Sequence, residues 1–245
     1  MRKTLACVST LFLVGFKQPA DAAHPLVTED SDTQGRGNSQ IELNTDRARF
    51  AGETGRVAAF TYSHGATDAL DLYGNLPVSL ASPSGKGDVS FGAKWRFRQG
   101  ERTSLAFKPE LFLATGNASK GLGNGSASLG FTLIASHGAG RWGFDGNIGL
   151  TANRYREPLF GSARHSIVWR VSGALAYSVN EQWTLVADTG IARNTEKAGR
   201  THPVFILAGV VYSPRRDVDI DVGIRAGLNA AEVHRQAGAG LTVRF

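Results

Sequence analysis

A chain of 245 residues is long enough for one large domain or two small ones. With 42% hydrophobic and 20% charged residues it is neither disordered nor a bundle of membrane helices, and thirty glycines without a collagen repeat point to sheets and turns. The formal net charge of +6 invites an anionic partner, but part of it resides in the first residues.

Those residues read as a secretory signal. Arg2 and Lys3 precede an apolar run over 5–16, and Ala20-Asp21-Ala22 gives a small-residue cleavage pattern. The run is too short for a membrane helix, which needs about 20 apolar residues. Cleavage is expected after Ala22 or one residue later. It would remove Arg2, Lys3, Lys17 and Asp21 and lower the net charge to about +4, so no nucleic-acid partner is expected. Cys7, the single cysteine, would leave with the signal, so the mature chain needs no disulfide. Residues 23–38 are polar and turn-rich. They read as an N-terminal lead-in on the periplasmic side, ending at Gly35-Arg36-Gly37.

From residue 39 to 245, segments with a period of two follow one another. The clearest spans 87–115. Val89, Phe91, Ala93, Trp95 and Phe97 alternate with polar residues, and after a turn Leu105, Phe107, Pro109, Leu111 and Leu113 do the same. A period of two means an extended strand with one greasy and one polar face. About twelve such segments occur, with no amphipathic helix of useful length. Long links over 117–125, 156–165, 195–202 and 230–236 alternate with tight ones over 63–67, 99–103, 137–140, 179–182 and 214–216. That rhythm predicts an all-β fold, a transmembrane up-and-down antiparallel barrel with short periplasmic turns and longer external loops. Trp95, Phe97, Trp142, Phe144, Trp183, Tyr62 and Tyr177 lie near the short turns, which suits an interfacial girdle or cross-strand packing. Alternation to a terminal Phe245 suits a signal read by the barrel-assembly machinery.

The polar face is expected to line the lumen with Glu42, Asp71, Lys94, Arg96, Lys108, Glu110, Asp145, Arg170, Asp188, Asp221, Arg225 and Arg244. Lys94 and Arg96 could meet Lys108 and Glu110 across a hairpin. Such charges either select solutes along a path or knit into ion pairs that fill a narrow lumen; both readings stay open. His64, His137, His165, His202 and His234 fall in turns or loops without metal-ligand spacing, so no metal and no cofactor is expected. The neighbours Ser136 and His137 face opposite ways on a strand, and no catalytic residue is assigned. The glycines of 121–125 open no helix and so form no phosphate cradle. The partners expected are outer-membrane lipid, the assembly machinery and a small-molecule solute. The function expected is a porin-like channel. The alternatives are a barrel-embedded envelope hydrolase and a plugged structural or adhesive barrel.

Several short stretches also resemble a known family. They begin with His24-Pro25-Leu26-Val27-Thr28-Glu29-Asp30, then Thr33-Gln34-Gly35-Arg36-Gly37 and Gln40-Ile41-Glu42-Leu43. They continue with Gly87-Asp88, Lys94-Trp95-Arg96, Lys108-Pro109-Glu110-Leu111 and Thr115-Gly116-Asn117-Ala118. The last are Trp183-Thr184-Leu185-Val186-Ala187, His202-Pro203 and 221–229. Together they resemble the outer-membrane barrel family catalogued under the MetA, or meta, pathway of phenol degradation. Asn117 stands where that pattern has Asp, and Asp188 where it has Glu. The resemblance implies an outer-membrane barrel that passes small compounds, aromatic or hydrophobic ones among them. It supplies no catalytic residues.

Overall fold

The computed structural model describes residues 24–50, 53–156 and 163–245, so the signal-peptide reading of 1–22 lies outside the described residues. Thirteen strands run β1 (Ser39–Phe50), β2 (Glu53–Thr67), β3 (Leu70–Ser79), β4 (Gly85–Lys86), β5 (Ser90–Gln99), β6 (Thr103–Phe112), β7 (Ser128–Ala139), β8 (Trp142–Ala152), β9 (Ile167–Ser178), β10 (Trp183–Ala192), β11 (Val204–Arg215), β12 (Val218–Gly227) and β13 (Arg235–Arg244). Each long strand pairs antiparallel with its chain neighbours, and β13 closes on β1. The result is a closed barrel of twelve spanning strands, with β4 a two-residue appendix on β3. Closure leaves no free sheet edge, the requirement for a sheet in lipid.

The expected segments match these strands closely. One tight turn differs. Residues 63–67 belong to β2, and the chain reverses at 68–69, because Gly65 pairs with Asp71 and Thr67 with Leu70 across an irregularity. His64 and His137 accordingly sit in β2 and β7 rather than in turns. The links over 68–69, 100–102, 140–141, 179–182 and 216–217 gather at one end of the barrel with the start of β1 and the C-terminus, where Ser39 and Phe245 exchange backbone hydrogen bonds of 2.7 and 2.9 Å. The loops over 80–89, 113–127, 193–203 and 228–234 gather at the other end; the loop after β8 is described only in part.

The alternation sets the two faces of the wall. Leu43, Phe60, Leu72, Phe91, Leu133, Ile148, Val222 and Ile224 are exposed, Ile224 at 67%. Glu42, Asp71, Lys108, Asp188 and Asp221, from the other face, are buried. A belt of exposed aliphatic and aromatic side chains this extensive is foreign to a soluble monomer and suits lipid. At the short-turn end, Trp142 packs on Tyr177 and Trp183 on Tyr212, each pair with ring centroids 4.5 Å apart. These are both cross-strand neighbours and part of an aromatic band, so the two readings of the aromatics coincide.

Candidate functional site

The lumen contains its own chain. Residues 24–38, expected as a lead-in outside the barrel, run through the interior and reach every one of the twelve spanning strands. They form a plug. A polar stretch cannot be buried unless its backbone groups find partners. The inward polar side chains of the strands supply them.

Taken from the short-turn end, the segment first meets β2, where Gly37 N–H donates to Gly65 O at 2.8 Å. Gln34 N–H donates to both carboxylate oxygens of Asp71, at 3.1 and 2.9 Å. Arg96 faces Asp32 at 3.5 Å and also donates to Asp68 O at 2.8 Å. Ser31 N–H donates to Ser136 Oγ at 2.8 Å, and Ser136 in turn donates to Asp145 at 2.5 Å. Glu29 lies at the centre. Its backbone N–H donates to Asn147 Oδ1 at 2.7 Å, and Asn147 Nδ2 returns a bond to Glu29 O at 2.9 Å. One strand side chain thus mimics a neighbouring strand. The Glu29 carboxylate, 2% exposed, pairs with Lys108, and Lys94 Nζ stands 3.7 Å away. Lys108 also rests over the Tyr73 ring, 4.5 Å from its centroid.

Further on, Asp188 acts as an acceptor cluster. It takes the N–H groups of Val27 and Thr28 at 2.6 and 2.8 Å and the Thr28 hydroxyl at 2.7 Å. A carboxylate accepting three bonds makes strong, charge-assisted contacts. Leu26 and Val27 pack on Phe205 and Leu207 of β11, the small apolar core of the lumen. Pro25 lies on Gly209 and Gly223, which face each other across β11 and β12. A Cβ on Gly223 would stand 2.4 Å from Pro25 Cβ. His24 bonds Asp221 and approaches Asp46 at 3.5 Å, over Gly238 and Gly240 of β13. Burial opposes a charge on the His24 imidazole, but the carboxylates of Asp221 and Asp46 outweigh it and raise the group to about 9.

The twelve charged residues share the inward parity of their strands, and Glu42, Asp71, Lys108, Glu110, Asp188 and Asp221 are buried. Lys94, Arg96, Lys108, Asp71, Asp145, Asp188 and Asp221 hold the plug directly or through one side chain. Lys94 and Lys108 meet at Glu29 of the plug and Arg96 meets Asp32, in place of the contacts across a hairpin expected for Lys94 and Arg96. Arg225 pairs with Glu232 at 2.9 Å and stacks on Phe205, and Arg244 bonds Asp219 at 2.6 Å and Gln40 at 3.0 Å. Glu42 accepts from Gln40 at 2.6 Å. Glu110 and Arg170 line a cavity of ≈ 70 Å³ on the long-loop side, floored by Val27 and Glu29 and walled by Phe112, Thr132, Asn147 and Ser172. The residues missed in the sequence are those of the plug itself, together with Asn147, Ser136 and Ser104, whose hydroxyl meets that of Ser31 at 2.5 Å.

Neighbouring chemistry is structural. Ser136 bonds Ser31 and Asp145 while His137 bonds Thr103, so they form no nucleophile–base pair. Among the described residues no His, Cys, Asp and Glu group is arranged for a metal. Asn117 Oδ1 caps the 3-10 turn Ala118–Lys120 by accepting from Lys120 N–H. That role needs only an oxygen acceptor, so the Asn117 amide serves it as well as the Asp expected there.

The barrel is similar to solved outer-membrane channels. The COG4313 outer membrane channel from Pseudomonas putida F1 superposes with a TM-score of 0.69 at 15% identity, over 88% of this chain and 98% of that one. The NanC porin gives a TM-score of 0.62 at 11% identity over 84% of this chain and 98% of its own. The KdgM porin gives 0.61 at 10% identity over 84% and 99%. No curated protein matches the chain. The family model described as "Putative MetA-pathway of phenol degradation" matches residues 22–245, and the chain belongs to that family.

Proposed function

We propose that the protein is an outer-membrane channel for small solutes, held closed at rest by its own N-terminal segment. The observation that carries this is a closed twelve-strand barrel whose inward polar residues hydrogen-bond an internal N-terminal segment. A barrel meant only as a wall has no need of a separate plug; side chains alone can fill so narrow a lumen. The segment joins β1 through Gly35 and Gly37, both at positive φ, so its attachment is a turn that glycine makes without strain. The likeness to channels and porins supports the same reading. The external orientation of the long loops follows the rule for such barrels, and Phe245, at the closing seam, serves as the assembly signal.

The solutes proposed are small and partly apolar, aromatic compounds included. Support comes from the cavity above the plug, where Phe112, Val27 and Val168 share the lining with Arg170, Thr132 and Glu110. Pockets of this kind hold an apolar body and orient it by a few polar groups.

Planar bilayers test the reading. Intact protein should give rare, small openings, and protein lacking residues 24–34 should give frequent discrete steps of larger conductance. A silent bilayer with folded deletion protein would sink the channel and favour the second reading, a structural barrel, for which the density of plug contacts is the specific support. Uptake of phenolic and sugar-like compounds by a deletion strain then separates the solute classes.

A further inference from the structure

Among the described residues, the lipid-facing wall gathers a cluster of like charge at the long-loop ends of three adjoining strands. Arg47 and Arg49 on β1, Arg56 on β2 and Arg235 on β13 are all exposed near the long-loop ends of their strands. They share the parity of Leu43, Phe60 and Leu241, which are exposed apolar residues, so they face outward. Arg47 stands directly opposite Arg56, and Arg49 directly opposite Arg235. Apolar surface adjoins them on both sides. Leu80 N–H bonds Arg56 O at 2.9 Å, and Ile224 stands opposite Ala237, which itself stands opposite Arg47. Among the described residues none of the four arginines forms an ion pair. Glu53 has the opposite parity on β2, and Glu232 is occupied by Arg225.

Like charges directly opposite on a sheet repel, and arginine on a lipid-facing wall is costly unless its head reaches the interface. Two opposed arginine pairs on adjoining strands therefore call for an anion between them. Where an apolar belt meets water on a membrane barrel, the anion at hand is a lipid headgroup phosphate. Arginine stems lie along apolar surface while the heads reach the boundary, and the guanidinium fork matches phosphate oxygens two at a time. We propose that Arg47, Arg49, Arg56 and Arg235 form a binding site for a phosphorylated lipid of the outer leaflet, one phosphate held by Arg47 and Arg56 and a second by Arg49 and Arg235. The chemistry fits a bisphosphorylated glycolipid of the lipid A type.

The site goes beyond the channel reading and is independent of conduction, though it rests on the long loops facing outward. Native mass spectrometry and thermal unfolding of the full-length protein in detergent, titrated with lipid A, monophosphoryl lipid A, phosphatidylcholine or inorganic phosphate, test it. Wild type should retain lipid A and unfold at higher temperature with it, monophosphoryl lipid A should do less, and phosphatidylcholine should do nothing. The Arg47→Gln/Arg56→Gln and Arg49→Gln/Arg235→Gln doubles should each bind lipid A about tenfold more weakly, as losing charged hydrogen bonds to one phosphate entails. Heat-modifiable gel migration confirms that the variants fold. A quadruple variant that binds lipid A as wild type does would overturn the site, and inorganic phosphate stabilising as well as lipid A would overturn its lipid nature. Labelling of Ser119→Cys on intact cells reports the orientation separately.

Discussion

The two sides of the lumen hold one plug by opposite means. On the side of β5 to β9, the wall presents polar side chains, Lys94, Lys108, Asn147 and Ser172, which meet Thr28 and Glu29. On the side of β11 to β13, the wall withdraws. Gly209, Gly223, Gly238 and Gly240 carry no side chain, and Pro25 and His24 occupy the space. The first side gains from charge and hydrogen bonds in a low-dielectric interior, where they are strong and their loss is costly. The second gains from close contact, which is specific to shape. A segment clamped by charge on one wall and fitted by shape on the other has one register in the barrel.

The contrast can be broken from the charged side first. Glu29→Ala removes the buried carboxylate that Lys94 and Lys108 share, leaving Lys94 its second partner Asp30 at 3.7 Å, and breaking a buried ion pair costs roughly 3–5 kcal/mol. The expected outcome is plug release, read as frequent bilayer openings and as protease sensitivity after residue 29; a closed, resistant variant would show that charge is not the clamp. On the shaped side, Gly223→Val drives side-chain atoms into Pro25, and overpacking of this kind costs about 1–3 kcal/mol. Openings should increase, though less than for Glu29→Ala. Gly146→Ala, with nothing within 4 Å of the added Cβ, should leave the channel closed and marks the background.

The smallest effect concerns His24. Its raised value means the charged imidazole stabilises the seated plug fully below its ordinary 6.5 and loses that contribution as pH rises through about 9. The groups facing it are Asp46 and Asp221, with Asp219 near Asp221. Open probability should therefore rise modestly between pH 8 and pH 10, while Asp188 and Asn147 still grip the rest of the segment. His24→Asn should abolish the rise, and an unchanged slope in that variant would remove His24 from the latch.

Much of this was legible in the residues. Period-two alternation from Ser39 to the end sets which side chain faces lipid and which faces the lumen, because one step along a strand reverses the face. Long and short links in turn set the up-and-down order. The plug was not legible for a physical reason. Residues 24–38 have no period, and a polar aperiodic stretch reads as a loop. Its partners are remote, Asp188 being 160 residues from Thr28 and Asn147 118 residues from Glu29. The available hint lay in the strands: inward glycines at 209, 223, 238 and 240 leave a gap that something must fill.

By itself, then, the sequence determined a closed sheet with an apolar outside and a charged inside, since both follow from local spacing along each strand. Only the tertiary structure decided what those inward charges do. Lys94, Lys108, Asp188 and Asp221 look the same in a strand whether they line a path or grip a segment. The difference is made by a stretch that acquires its partners only when all twelve strands have closed around it.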